Sequence, residues 1–139
     1  MDGYLERLAQ SKGIAEELLN SKRYDFDGLK PSDLQDKLPV VYAIFDKVDD
    51  FCLYVGRTQN LRRRLYTNHL MGPEANARLK KYLVEDKSRT DILTMDDAKD
   101  YLRKRCCFQY LPVDDMRLRG QIEGLLSFLL DVKYIHEEH

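Results

Sequence analysis

The chain carries almost no net charge: 23 Lys and Arg stand against 24 Asp and Glu, leaving −1 over 139 residues. That is not the strong basic excess of a protein that coats nucleic acid through bulk electrostatics. No apolar run approaches the ~20 residues of a membrane span, and the first residues do not read as a signal peptide, so a cytoplasmic location is expected. Cysteines are few: Cys52, Cys106 and Cys107. Their odd number and strand-like settings exclude a disulfide frame and point to reduced thiols. Cys106 and Cys107 are adjacent, so on a strand they face opposite ways and cannot jointly hold a metal. All three read as packing residues. There is no repeat and no low-complexity tract. What remains is 43% hydrophobic and 34% charged, one ordinary soluble domain long enough for a real core.

The chain is organised around residues 40–69, VVYAIFDKVDDFCLYVGRTQNLRRRLYTNH. Val40 to Phe45 and Phe51 to Gly56 are apolar runs of strand length, rich in β-branched and aromatic residues. The short polar link Asp46 to Asp50 pairs them most simply as an antiparallel hairpin. Tyr42 and Tyr54 fall one on each strand. Gly56 ends the second strand, Asn60 is an N-cap, and Leu61 opens a helix. Leu61 and Leu65 mark its buried stripe. At about 100° per residue, Arg64 falls beside those leucines while Arg62 and Arg63 turn away. An arginine at the core edge needs an anionic partner: either an aspartate in a structural ion pair or an anion at an exposed cleft.

Charge is uneven along the chain. From Arg57 to Lys81 the cations are Arg57, Arg62, Arg63, Arg64, Arg78, Lys80 and Lys81, and the sole acid is Glu74. Acids dominate in 46–50, 96–100 and 137–138. A basic face on a neutral protein suits phosphate contact at one surface, although charged outer helix faces are also ordinary.

Residues 1–38 read as an N-terminal helical extension, a lid or a dimer contact. Tyr4, Leu5, Leu8, Ala9, Ile14, Ala15, Leu18 and Leu19 recur at helical spacing, and Gly13 is expected to kink or split that helix. Ser32 with Gln35 resembles a capping box for one short turn. Residues 39–139 form the main domain. Within it, 74–84 reads as a helix, Thr94 to Asp97 as an acidic capping box opening a helix to about Arg105, and Cys106 to Leu111 as a third strand stopped by Pro112. Asp115 caps a last helix, Met116 to Leu130. Its apolar face is Leu118, Ile122, Leu125, Leu126, Leu129 and Leu130. Glu123 lies at the edge of that face, one turn after Arg119, either as an Arg119–Glu123 pair or as a functional carboxylate. His136 and His139 read as solvated tail residues.

Residues 38–130 resemble the GIY-YIG nucleases. Val40-Val41-Tyr42 stands where that family has Gly-Ile-Tyr, with Val40 in place of the glycine. Tyr54-Val55-Gly56 stands where it has Tyr-Ile-Gly, and Arg57 to Leu65 follows as its loop and helix. The resemblance implies an α/β fold with a small three-stranded antiparallel sheet flanked by helices. It implies a DNA endonuclease using one Mg²⁺ or Mn²⁺ held by Glu123, with Arg64 on the scissile phosphate and Tyr42 or Tyr54 assisting the attacking water. Glu123 alone is a sparse site, so water and the phosphate itself would complete the shell of about six oxygens. Arg57, Arg62, Arg63, His69, Lys80 and Lys81 are the further candidates for phosphate or DNA contact. Relatives often carry His or Tyr four residues after the arginine. Here that position is Asn68 and His69 follows, so either a one-residue shift brings His69 into play or the role is missing. Relatives also often carry an asparagine beyond the last helix, where this chain has Tyr134-Ile135-His136. A chain this short leaves target choice to its own loops, to a homodimer or to a specificity partner. Two other readings stand beside the nuclease: a weak or inactive module of the same fold that binds nucleic acid or protein, and an unrelated small α/β protein.

Overall fold

The computed structural model describes residues 2–136. The order of elements is α1 (Asp2–Asn20), β1 (Tyr24–Asp25), a 3₁₀ turn (Pro31–Asp33), β2 (Val40–Asp46), β3 (Phe51–Thr58), a π-helix (Arg63–Leu70), α2 (Arg78–Glu85), α3 (Met95–Arg105), β4 (Cys106–Pro112) and α4 (Met116–Leu129). The strands form one antiparallel sheet in the order β1-β4-β2-β3. It has four strands rather than three. The additional one comes from the N-terminal extension, where Tyr24 and Asp25 pair with Phe108 and Cys107 on the β4 edge. A two-residue strand leaves too short an alternation to be read from sequence.

β2 is apolar along nearly its whole length because it is covered on both faces. Val40, Tyr42 and Ile44 pack with Leu61, Leu65, Leu79, Leu83 and Leu102 beneath the π-helix, α2 and α3. Val41 and Ala43 pack with Leu18, Ile122 and Leu126 beneath α1 and α4. The two helical layers are joined at the β3 edge, where Lys133 and Tyr134 donate backbone N–H bonds to the carbonyls of Cys52 and Leu53, each at 3.0 Å. That pairing brings the segment after α4 alongside the hairpin. Cys52, Cys106 and Cys107 are free and buried.

Several local expectations are corrected. Gly13 does not split α1, which runs unbroken for 19 residues. One glycine costs a helix only about 1 kcal/mol, and Ile14, Ala15 and Leu18 anchor the C-terminal half in the core. Gln109 Nε2 also donates to the carbonyls of Leu19 and Ser21 at 3.1 and 2.8 Å, capping the helix end. The 3₁₀ turn is closed by the Lys30 N–H on Asp33, not by Ser32 with Gln35. α2 begins at Arg78 rather than at residue 74, since residues 74–76 form a turn in which the Asn76 and Ala77 N–H groups both reach Pro73 O. The Thr94–Asp97 capping box forms as expected, with both reciprocal bonds at 3.1 Å.

Candidate active site

The hairpin supplies two tyrosines on one face. Their rings lie 6.2 Å apart at 24°. Tyr42 is 1% exposed, and its hydroxyl crosses the strand to lie over Gly56, its β3 partner. A Cβ at Gly56 would lie 2.3 Å from that hydroxyl, so the glycine is what admits the ring. Burial pushes the Tyr42 hydroxyl well above 10, with Tyr54 and Glu123 adding to the rise and Arg64 and Arg78 opposing it. Tyr54 is half-buried. Burial raises it too, against the charges of Arg78 and Arg64.

Asn60 opens the next helix, its Oδ1 accepting the Arg63 N–H at 3.2 Å. From Arg63 the turns are wide: the Met71 N–H reaches back five residues to Tyr66 O at 3.0 Å. In such a π-helix the backbone hydrogen bonds span five residues rather than four, and Arg64 and His69 are five apart across these turns. His69 Nε2 and the Tyr42 hydroxyl are hydrogen bonded at 2.7 Å, while Asn68 is half-buried and takes no part in that bond. His69 is 1% exposed and therefore does not contact DNA directly. Burial, then Arg64, Lys80 and Arg78, drives its pKa down to about 3, and the ring is neutral at neutral pH. Arg64 makes no ion pair with a carboxylate among the described residues, and its charge acts on Tyr42, Tyr54 and His69 alike.

Glu123 stands on α4 and faces the β3 edge. It does not pair with Arg119, whose buried guanidinium donates to the carbonyls of Val113 and Asp114 at 3.0 and 2.9 Å. Its partner is Arg57, whose Nε lies 3.9 Å away. The Arg57 side chain lies over Gly120, where a Cβ would come within 2.1 Å of the guanidinium. Burial raises the Glu123 pKa, against the lowering by Arg57 and Arg78.

Tyr54, Arg78, Tyr82, Glu123, Ser127 and Tyr134 line one cavity of about 160 Å³, with Ile135 and His136 beside them. Glu123 is the single acidic side chain lining it among the described residues, and no three His, Cys, Asp or Glu come together there as a metal cage. One half-buried carboxylate with an open cavity beside it does fit a hard cation that keeps most of its oxygen shell as water and phosphate.

Lys80 does not belong to a phosphate-binding surface. It is 3% exposed, and its Nζ donates to Leu70 O and Gly72 O, each at 2.8 Å. Burial depresses its pKa to about 8. Arg62 commits its Nε to Leu34 O at 2.9 Å. Arg57, Arg63 and Lys81 are exposed. His136 is exposed, as expected of a solvated tail residue, and its Nδ1 lies 3.4 Å from the Tyr82 hydroxyl; His139 lies outside the described residues. From the sequence Arg78 reads only as one cation of the basic stretch, and Tyr82 is given no place in the site. Their signal is an i, i+4 spacing that puts a cation and an aromatic on one helix face.

Residues 38–105 match the family model described as the GIY-YIG catalytic domain, a span that holds Tyr42, Tyr54, Arg64 and His69 and stops before Glu123. Neither a curated protein nor a solved structure matches the chain.

Proposed function

We propose that this chain, whose residues 38–105 match the GIY-YIG catalytic domain, is a DNA endonuclease dependent on Mg²⁺ or Mn²⁺, hydrolysing phosphodiester bonds in the cavity at the β3 edge. The observation that carries this reading is that Tyr54 from the hairpin and Glu123 from α4, separated by 69 positions in sequence, line the same cavity with a cation between two helical layers.

Hydrolysis of a phosphodiester needs an oriented water, a route for its proton, and positive charge where the phosphoryl oxygens gain electron density. Arg64, with Arg78, supplies fixed positive charge to the scissile phosphate. Arg57 orients the Glu123 carboxylate, which would hold the divalent cation. Bound there, the cation would supply charge to the phosphate oxygens and lower the cost of deprotonating a water. Tyr54 is the tyrosine that lines the cavity, so it is within reach of that water. Its raised pKa makes it a phenol, not a phenolate; it therefore relays a proton rather than storing one. Tyr42 stands behind it, hydrogen bonded to a neutral His69 that can accept from the tyrosine O–H. Exposed Arg57, Arg63 and Lys81 give the backbone its outer contacts. A cytoplasmic setting goes with three buried thiols, none of them paired. No helix among the described residues is long and apolar enough to cross a membrane.

The test is cleavage of plasmid, linear duplex, single-stranded and branched DNA with Mg²⁺ and with Mn²⁺. Glu123→Ala and Arg64→Ala are each expected to lower the rate at least about 100-fold, the usual scale for losing one preorganised charge. Cleavage that survives both variants would reject the assignment. DNA binding without cleavage by the wild type would leave a binding module of this fold.

A further inference from the structure

Beside the catalytic cavity lies a larger one of about 680 Å³, between α2 and the segment after α4. The two share Arg78, Tyr82, Tyr134, Ile135 and His136, so they are parts of one groove. Its wall is aromatic. The ring centroids of Tyr54 and Tyr82 are 6.4 Å apart, and those of Tyr82 and Tyr134 are 6.1 Å apart at 23°. Tyr134 is held firmly: its hydroxyl donates to Asp86 at 2.5 Å and accepts from Arg89 Nε at 2.8 Å. Arg78 and Lys81 stand on the first turn of α2, and Lys133 lines the groove from the C-terminal segment.

Resting on the nuclease reading above, we propose that this groove receives an unpaired nucleotide adjoining the scissile phosphate, its base against Tyr82 and its phosphate on Arg78 and Lys81, so that the substrate is DNA with a single-stranded or branched segment rather than continuous duplex. A strand whose phosphate lies beside Glu123 continues into whatever groove adjoins it, and this one shares a wall with the cavity. A paired base has both faces covered by its neighbours and cannot reach a tyrosine recessed in a groove; an unpaired one can. Aromatic rings beside cations are the combination that holds such a strand without reading its sequence. Carboxylates limit the footprint. Glu74, Glu85 and Asp86 share the groove; Asp86 is committed to Tyr134 and Ser88, and Glu85 lies 4.0 Å from Lys81. They oppose a run of several phosphates but accept the amino edge of a base, so the groove suits one nucleotide or two.

The experiment measures binding of the full chain in EDTA, where cleavage plays no part. Its probes are a fork with unpaired thymines and a blunt duplex of equal length. The fork is expected to bind about 10-fold tighter, and Tyr82→Leu to bring the ratio of fork to duplex affinity down to about one. Tyr82→Phe, which keeps the ring, retains it. With 5-iodouracil in the unpaired arm, ultraviolet crosslinks are expected on Tyr82 or Tyr134. Equal binding of fork and duplex, or a fork preference that Tyr82→Leu leaves intact with crosslinks elsewhere, overturns the proposal. The nuclease reading is judged separately: a wild type that cuts duplex as fast as fork keeps that reading and loses this one, whereas Tyr82-dependent fork binding without any cleavage rejects the nuclease reading and the placement beside a scissile phosphate, and leaves the groove only as a binding site for unpaired DNA.

Discussion

Two glycines show how one missing methyl group sets the site. At Gly56 an added Cβ meets Tyr42, a side chain that is buried and already tied to His69, at 2.3 Å from the hydroxyl and 2.5 Å from Cζ. Nothing there can yield cheaply, so Gly56→Ala is expected to cost about 1–3 kcal/mol in urea denaturation and to abolish cleavage. At Gly120 the added Cβ meets only the end of the exposed Arg57 side chain. Arg57 swings away, and the helix gains up to about 1 kcal/mol from alanine. Gly120→Ala is therefore expected to be more stable than the wild type and less active, a pair of opposite changes that denaturation and cleavage assays read independently. His69 makes a pH prediction. In the unfolded chain it titrates near 6.5, and in the fold near about 3. Between those values the unfolded chain holds the extra proton, so this contribution to stability is complete above about 6.5 and is lost as pH falls toward 3. By pH 4 the loss is roughly 3 kcal/mol. Urea midpoints from pH 7 to 4 measure it, and His69→Gln should flatten the slope.

At the scale of elements, the π-helix is the departure that matters. Leu61, in the turn that leads into it, and Leu65 within it are correctly read as one buried stripe, and both are fully buried. The reading assumed 3.6 residues per turn, and nothing in residues 63–70 announces a wider one. The end of this helix is held from outside, because Lys80 reaches back from α2 to the carbonyls of Leu70 and Gly72. Lys80→Ala would leave two buried carbonyls unpaired and a space in the core, at a cost of about 2–4 kcal/mol. The neighbouring Lys81→Ala, on the exposed face, is expected to stay within about 0.5 kcal/mol and to weaken DNA binding instead. Equal stability of the two variants would refute the capping role of Lys80.

For the whole molecule, the N-terminal extension is woven into the domain. Leu18, Phe26 and Leu34 are fully buried, and β1 covers the edge of β4. A chain beginning at Pro39 would uncover that edge and remove three core side chains, so it is expected to aggregate or to unfold without a cooperative transition, as followed by circular dichroism and sedimentation. A soluble, cooperatively folding 39–139 fragment would instead make the extension a true appendage.

The strand runs, the capped helices and the half-motif from Tyr54 to Arg64 were legible because each rests on spacing within a few residues, where backbone geometry alone decides which side chains share a face. The sequence by itself therefore determined the α/β class, the hairpin, the last helix and the arginine beside its leucines. It could not determine burial. Lys80 and Lys81 are indistinguishable in the basic run, yet one donates to two carbonyls in the core and the other faces solvent. Nor could spacing bring Tyr54, Arg78, Glu123 and Tyr134 to one cavity, since those residues come from a strand, two helices and the segment after α4. That convergence was decided only when the two helical layers closed over the β3 edge, because contacts between distant segments follow from how whole faces pack and not from any local repeat.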